Sequence, residues 1–232
     1  MNGKNPAKIW NELSEEFNTY KKELFYGAAD NIHIAWPAIL GYVKKNISGN
    51  PLRTLDFGCG TGMFCRELKS AGFDVAGIDI SGKMIEMAKK HNKNIDFFAG
   101  DAKKTDEISG KNGKLNLITS IMTLQFVENI EECIKSFSDS LMTDGHIIFA
   151  VHNPKKLEER GVKDDFNMGN TCKTVKIFKR TAKDYDKLFQ KFGFKKTLEE
   201  YPKTSPEFLK RYEQKDSLKI SKYMILAYKK IK

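Results

Sequence analysis

The sequence has few of the features that mark secreted, membrane-bound or metal-binding proteins. It contains only four cysteines among 232 residues, and none of them forms a C-x-x-C pair. Free thiols in a reducing compartment are therefore favoured over a disulfide framework or a zinc site. No apolar run approaches the ~20 residues of a membrane span. The start, Met1 to Lys8, lacks the apolar stretch of a signal peptide. These absences predict a cytoplasmic protein without a metal site.

The chain has fewer acidic than basic residues, which gives a net charge of +10. Most of the excess is lysine, and the lysines are dispersed along the chain instead of forming one basic tract. A dispersed charge predicts a solvated surface, although a basic balance also suits an anionic substrate, nucleic acid or an acidic carrier protein. The length suits one domain with one core, covering residues 1–232, as a monomer or homodimer.

A glycine turn organises the chain. Gly58, Gly60 and Gly62 follow the apolar run that ends at Phe57, and an amphipathic stretch comes next. This order predicts a strand, a tight turn and a helix, with backbone N–H groups open to a ligand where a Cβ would clash. Met63 stands where a dinucleotide fingerprint, G-x-G-x-x-G, has its third glycine, and no Gly-Lys-Ser/Thr occurs. An NAD-dependent oxidoreductase and a nucleoside-triphosphate loop are both disfavoured.

Two further acids end predicted strands. Asp79 follows an apolar run and lies 21 residues after Gly58. A carboxylate at the tip of a second strand can accept hydrogen bonds from both hydroxyls of a ribose. An alternative is a helix N-terminus capped by Ser81. Asp101 lies in the sequence Gly-Asp-Ala after the third predicted strand, where it can accept an adenine amine or simply form a turn.

These three motifs resemble those of the class I S-adenosylmethionine-dependent methyltransferases. The resemblance rests on D-x-G-x-G-x-G from Asp56 to Gly62, on Asp79 and on Gly-Asp-Ala, and it extends from Arg53 to the C-terminus. It implies an α/β, Rossmann-like, doubly wound seven-stranded sheet, mostly parallel with the last strand antiparallel. It also implies an N-terminal helical cap over residues 1–50. Residues 154–174 are polar and predict a lid insertion.

The same resemblance implies S-adenosylmethionine as cofactor and S-adenosylhomocysteine as product. The cofactor would be held by residues of the glycine turn, by the two acids and by the tip of the second strand. The segment after the fourth strand and one tyrosine of the cap would complete the site. The implied cofactor-binding residues are Tyr20, Asp56, Gly58, Cys59, Gly60, Gly62, Asp79, Ile80, Met84, Gly100, Asp101, Ala102, Ser120, Ile121, Gln125 and Phe126.

Catalysis would be in-line displacement at a sulfonium methyl, which depends mainly on holding the acceptor in line and excluding water. A general base helps only if the acceptor must lose a proton. His152 follows the fifth predicted strand and is the first candidate, since an imidazole titrates near neutral pH. A hydrogen-bonded structural histidine is the alternative. Tyr26 and His33 in the cap are weaker candidates.

Two missing sequence motifs narrow the choice of methyl acceptor. Ile121-Met122-Thr123-Leu124 stands where a DNA amino-methylating enzyme of this class carries Asn/Asp-Pro-Pro-Tyr/Phe, and no cysteine follows the fourth strand as an RNA cytosine-C5 enzyme requires. A small-molecule acceptor is favoured, free or tethered to an acidic carrier protein, with transfer to O, N or C. An RNA methyltransferase and a non-catalytic S-adenosylmethionine-binding subunit are the alternatives.

The second half of the chain gives local predictions. We expect the helix that begins near Ile130 to end with a glycine cap at Asp144-Gly145. Val175 to Phe178 alternates like an edge strand. Pro202 and Pro206 predict a break between the last two strands.

Overall fold

The computed structural model describes residues 5–15, 17, 29–49, 52–167, 173–212 and 219–232. The helices are α1 (Pro6–Leu13), α2 (Trp36–Asn46), α3 (Met63–Ser70), α4 (Gly82–His91), α5 (Lys104–Asn112), α6 (Ile130–Ser140), α7 (Pro154–Glu159), α8 (Ala182–Lys191) and α9 (Pro206–Arg211). The strands are β1 (Arg53–Phe57), β2 (Asp74–Asp79), β3 (Asp96–Ala99), β4 (Leu115–Ile121), β5 (Leu141–His152), β6 (Asp165–Asn167), β7 (Thr174–Lys176), β8 (Phe194–Glu200) and β9 (Tyr223–Lys230).

Seven strands form one sheet in the order β3-β2-β1-β4-β5-β9-β8. β1 to β5 pair in parallel, whereas β9 runs antiparallel to both β5 and β8. The strand order reverses beside β1, so the carboxyl ends of β1, β2 and β4 border one crevice. The predicted fold class, with its antiparallel last strand, is confirmed.

Helices cover both faces of the sheet, which is the usual arrangement for parallel strands. Successive residues of β4 point to opposite faces: Ile118 belongs with Leu55 of β1 to one core cluster, and Leu117 belongs to the other. The first cluster packs against α5, α6 and α8, and the second against α2, α3 and α4. This packing fixes the strand tips, from which the candidate site projects.

The N-terminal cap lies partly within the described residues. A π-helical turn, Asn31–Ala35, leads directly into α2. α1 carries Trp10 and Leu13 into a third, smaller cluster with Val175, Phe126 and Phe166. The cap therefore contacts the segments that follow β4 and β5. None of the helices in the described part combines the length and the apolar character that crossing a bilayer requires.

The predicted end of α6 is wrong. The helix ends at Ser140, because Leu141 adopts an extended conformation (φ −81°, ψ 144°) and pairs with Leu115 at the start of β5. The reversal that suggested a glycine cap is made by Asp144, whose own φ is +66°. Asp144-Gly145 is thus a turn within the entry to β5 and not a helix terminus.

Three further segments of the second half show detail that their sequence patterns did not indicate. The polar segment after Pro154 is not without regular structure, since α7 and β6 lie within its described part. The strand expected over Val175 to Phe178 is β7, Thr174–Lys176, which pairs with β6 in a separate two-stranded sheet and not with the main sheet. The predicted break between the last two strands is confirmed, since β8 ends at Glu200 and β9 begins at Tyr223, and within it Pro206 begins α9, capped by the Ser205 side chain. The sequence of α5 shows no apolar periodicity, so this helix was not predicted.

Candidate functional site

The glycine turn joins β1 to α3 through three residues in the left-handed region. Gly58, Gly60 and Gly62 have φ values of +75°, +53° and +81°, in the left-handed region that glycine enters without steric cost. The N–H groups of Gly58 and Cys59 both donate to the carbonyl of Ile78 in β2, at 2.8 and 3.0 Å. The turn is therefore fixed to the neighbouring strand before any ligand binds.

The three glycines differ in what surrounds them. A Cβ on Gly58 would collide with the side chain of Thr123, and one on Gly62 would lie 2.7 Å from the Phe97 ring. A Cβ on Gly60 would meet nothing within 4 Å. Gly58 and Gly62 are thus required by the protein's own packing, whereas the space over Gly60 is open. That open space is where a ligand can approach the backbone.

Asp79 connects the tip of β2 to the glycine turn. Its two carboxylate oxygens accept hydrogen bonds from the backbone N–H groups of Gly60 (2.9 Å) and Ser81 (2.8 Å). Burial raises the pKa of Asp79, and these two N–H donors partly offset the shift. Each oxygen keeps a second lone pair for another donor. The arrangement fits the predicted ribose contact.

Asp56 lies beneath the turn and not in the open crevice. It is only 3% exposed, and it accepts hydrogen bonds from Thr119 Oγ1 (2.8 Å) and Cys65 Sγ (3.5 Å). Burial raises its pKa to about 6, with the Thr119 and Cys65 bonds acting in the opposite direction. The carboxyl group therefore holds β1, β4 and α3 together under the site.

This buried carboxyl group predicts a pH dependence of stability. The folded-state pKa of about 6 exceeds the ordinary 3.8, so unfolding releases a proton and the folded state is weakened as pH rises between these values. Relative to Asp56→Asn, the wild type should lose ~2 kcal/mol of unfolding free energy from about pH 4 to about pH 6. Urea unfolding of both proteins at several pH values measures the difference. A difference independent of pH would contradict the assignment.

The residues expected around adenine form the rim of the same crevice. Ile80 is 36% exposed just after Asp79, and Met84 is buried in the first turn of α4. The N–H of Gly100 donates to the carbonyl of Asp79, which places Gly100 to Ala102 beside the tip of β2. Asp101 is exposed, and its Oδ1 accepts from the Lys103 N–H at 3.1 Å.

The segment after β4 divides into inward and outward residues. Ser120 is fully buried, and its hydroxyl donates to the Phe57 carbonyl at 2.9 Å, so it supports β1. Ile121 and Phe126 are partly exposed, and Gln125 is buried. Met122 has a φ of +57°, a conformation that non-glycine residues adopt at a cost and that often marks functional segments. Ile121 and Phe126 are thus better placed for a ligand than Ser120.

His152 ends β5 among aromatic side chains. Its ring centroid lies 4.9 Å from that of Phe166, which is 6.3 Å from Phe126, and Phe126 is 5.3 Å from Trp10. Burial, together with the charges of Lys222 and Arg160, lowers the pKa of His152 to about 3. The imidazole is therefore neutral at physiological pH.

The other predicted catalytic residues lie apart from this group or outside the described residues. His33 Nε2 is 2.6 Å from the hydroxyl of Tyr212, and its ring packs against Phe208 of α9. His33 thus joins the cap to α9. Tyr20 and Tyr26 lie outside the described residues. Cys59 is buried in the glycine turn, and burial raises the pKa of its thiol to about 11. Among the described residues, no three His, Cys, Asp or Glu side chains are grouped to hold a metal ion.

Three residues that the sequence did not indicate contribute to this site. Thr119 and Thr123 support Asp56 and Gly58 from β4 and its extension. Asn11 of α1 accepts hydrogen bonds at the start of α4. Thr119 follows the alternation of a buried strand, but no motif distinguishes a supporting threonine from a core one. A contact between residues 11 and 81 leaves no local signal at all.

An α/β sheet with a glycine turn and acids at successive strand tips is the architecture of the class I S-adenosylmethionine-dependent methyltransferases. Solved structures agree at the level of the fold. An S-adenosylmethionine-dependent methyltransferase from Mesorhizobium loti gives a TM-score of 0.68 at 22% identity, covering 88% of this chain and 99% of that one. Magnesium protoporphyrin IX methyltransferase from Synechocystis, with bound S-adenosylhomocysteine, gives 0.66 at 16% identity, covering 97% of each.

The sequence comparison identifies the family. The model of the methyltransferase domain family matches residues 20–199, so the chain belongs to that family, and the resemblance drawn from the motifs is confirmed. Ubiquinone biosynthesis O-methyltransferase of Coxiella burnetii is 28% identical over 132 residues, which are 55% of this chain and 55% of that protein. The chain thus matches only about half the length of this relative.

Proposed function

We propose that this protein transfers a methyl group from S-adenosylmethionine to an acceptor atom of a small molecule. The observation that carries the proposal is the pair of hydrogen bonds that the backbone N–H groups of Gly60 and Ser81 donate to the Asp79 carboxylate. These bonds join the tips of β1 and β2 around the open space over Gly60. Membership of the methyltransferase domain family supports the same reaction.

The residues present fit the cofactor. The space over Gly60 accepts the methionine portion close to backbone N–H groups, and Asp79 has lone pairs for the ribose hydroxyls. Ile80 and Asp101 stand at the adenine end, and Ile121 and Phe126 stand at the sulfonium end. When bound, S-adenosylmethionine supplies a methyl group that is already activated, because its leaving group departs as a neutral thioether.

The protein's own contribution is then position and exclusion of water. Trp10, Phe126 and Phe166 form a partly exposed aromatic wall beyond the tips of β4 and β5. An acceptor held against this wall lies on the side of β4 opposite to Asp79. Orientation of this kind can supply ~7–11 kcal/mol of the reduction in barrier. Residues 154–174, which carry Phe166, would act as the lid over the acceptor.

We further propose that the acceptor atom is a hydroxyl oxygen. The name of the Coxiella relative, an O-methyltransferase of ubiquinone biosynthesis, supports oxygen, and the aromatic wall suits a largely apolar molecule. The positive net charge is compatible with an acceptor tethered to an acidic carrier protein. His152, as a neutral imidazole, would accept a hydrogen bond from the acceptor hydroxyl and so orient the oxygen lone pair. As the new O–C bond forms and the methyl–sulfur bond breaks, the hydroxyl proton would pass through His152 to solvent.

This role of His152 predicts an unusual pH profile. Since its pKa lies at about 3, turnover should show no ionisation of His152 between pH 5 and 8. His152→Phe should keep the packing against Phe166 yet lower turnover by about tenfold or more, with unchanged affinity for S-adenosylmethionine. His91→Asn, on an exposed residue at the end of α4, is the control. A titration near pH 6.5 that disappears in His152→Phe would contradict the neutral imidazole.

The activity is tested by incubating the purified protein and methyl-labelled S-adenosylmethionine with a fractionated metabolite extract and, separately, with total RNA. Label transferred to a small molecule by the wild type, and not by Asp79→Ala, supports the proposal. Label entering RNA with a steep salt dependence would indicate an RNA methyltransferase instead. Binding of the cofactor without transfer to any fraction would indicate a non-catalytic subunit.

A further inference from the structure

α1 attaches to the far side of the cofactor crevice through Asn11. The side-chain oxygen of Asn11 accepts hydrogen bonds from Ser81 Oγ (2.8 Å) and from the Lys83 backbone N–H (3.2 Å). Ser81 is fully buried and caps α4 immediately after Asp79. Asn11 therefore satisfies a free N–H in the first turn of α4, where helices leave such donors unpaired.

The adjacent residue attaches to the opposite side. Trp10 packs edge-on against Phe126, with ring centroids 5.3 Å apart and an interplanar angle of 63°. Phe126 follows β4, whereas Ser81 follows β2, and β1 lies between these two strands in the sheet. Two neighbouring residues of α1 thus contact both flanks of the glycine turn, and the helix spans the carboxyl end of β1.

A short chain of hydrogen bonds links α1 to Asp79. The backbone N–H of Ser81 donates to Asp79 Oδ1 at 2.8 Å, and the hydroxyl of the same residue donates to Asn11. Ser81 therefore connects Asp79, where the ligand is proposed to bind, with Asn11 of α1. The other Asp79 oxygen accepts from Gly60, so the same carboxylate sets both the turn and the helix.

We propose that Asn11 is a positioning residue for methyl transfer: it fixes α1 to the cofactor's ribose end and thereby holds Trp10 in the wall of the acceptor site. The inference rests on the proposed function. It makes the acceptor wall depend on the occupancy of the cofactor site, because Asn11 and Trp10 are consecutive residues of one helix. Cofactor should therefore bind before the acceptor.

The hydrogen bonds define which substitutions Asn11 tolerates. Both of its partners are donors, so only the acceptor function of the side chain is used. Asn11→Asp retains an acceptor, and a carboxylate is favourable at the first turn of a helix. Asn11→Ala removes the acceptor. Lys8→Ala, on an exposed residue of the same helix, is the matched control.

Trp10 itself provides the readout. The sequence has two tryptophans, and Trp36→Phe leaves Trp10 as the only one. In this background S-adenosylhomocysteine is titrated, and both the Trp10 emission and the binding heat are recorded. We expect a saturable change in emission for the parent, Lys8→Ala and Asn11→Asp. Asn11→Ala should lose the emission change and bind about tenfold more weakly.

The outcomes separate this inference from the proposed function. If Asn11→Ala retains the emission change and the affinity, or if Asn11→Asp behaves like Asn11→Ala, the positioning role is wrong. If Asn11→Ala does not fold, Ser81→Gly removes the hydroxyl donor while glycine remains acceptable at the helix cap, and the same loss is expected. Absence of binding heat in the parent would overturn the proposed function itself, and the inference with it.

Discussion

Asp79→Ala is expected to weaken the binding of S-adenosylhomocysteine by about 100-fold. In the proposed site Asp79 would accept hydrogen bonds from the two ribose hydroxyls, and hydrogen bonds to a charged group contribute ~1.5–3 kcal/mol each. The side chain also holds the N–H groups of Gly60 and Ser81. Its loss therefore removes direct contacts and loosens the turn that surrounds the rest of the cofactor. Isothermal titration calorimetry on ligand-stripped protein measures the effect.

The fold should survive this substitution. Burial raises the pKa of Asp79, which means that the ionised carboxylate is costly in the folded protein and that its removal offsets part of the lost bonding. We expect the melting temperature of the ligand-free protein to change by only a few degrees. Asp74→Ala, at the exposed opposite end of β2, should leave affinity unchanged. Equal affinities of Asp79→Ala and the wild type would show that ribose binds elsewhere.

Gly58→Ala is expected to destabilise the protein more than a substitution at any other position of the turn. Its φ is +75°, which costs an alanine ~1–2 kcal/mol, and the new methyl group would collide with the Thr123 side chain. Together these effects predict a loss of about 3 kcal/mol, or roughly 10 °C in melting temperature. Thermal unfolding of ligand-free protein provides the measurement.

Two other glycines serve as controls for Gly58. Gly60→Ala meets open space and should cost only about 1 kcal/mol of stability, but it should lower cofactor affinity by about tenfold, because its methyl group enters the ligand's space. Gly41→Ala lies on the exposed side of α2, again in open space, and should stabilise the protein by ~0.5–1 kcal/mol. If Gly58→Ala and Gly60→Ala destabilised the protein equally, the packing of Thr123 against the turn would be refuted.

The sequence predicted those parts of the fold in which local signals and burial agree. The apolar run of β2, Val75 to Ile78, shows no polar side because helices cover both faces of the sheet, and this pattern is visible in the sequence. The glycine turn was predictable for a similar reason, since few backbone paths require three left-handed glycines at alternate positions. Segments fixed by long-range contacts were less predictable. Asp144-Gly145 resembled a helix end in the sequence. It is instead a turn at the entry to β5, because Leu141 pairs with the distant residue Leu115.

The candidate site shows the same division. The positions of Asp79 and Gly60 followed from strand order, since strand tips meet at one edge of a sheet. Which polar groups face the crevice did not follow, because orientation depends on partners distant in sequence. Asp56 bonds to Thr119, and His33 bonds to Tyr212. The low pKa of His152 likewise arises from burial and from Lys222 and Arg160, which no motif around His152 indicates.

The most direct test of the account is calorimetric titration of S-adenosylhomocysteine into the ligand-stripped wild type, with NADH titrated under identical conditions. The account predicts one saturable site per chain for S-adenosylhomocysteine and no heat of binding for NADH. Binding of NADH, or no heat with S-adenosylhomocysteine from protein that melts cooperatively, would contradict the claim that β1, β2 and β3 together form an adenosyl-cofactor site.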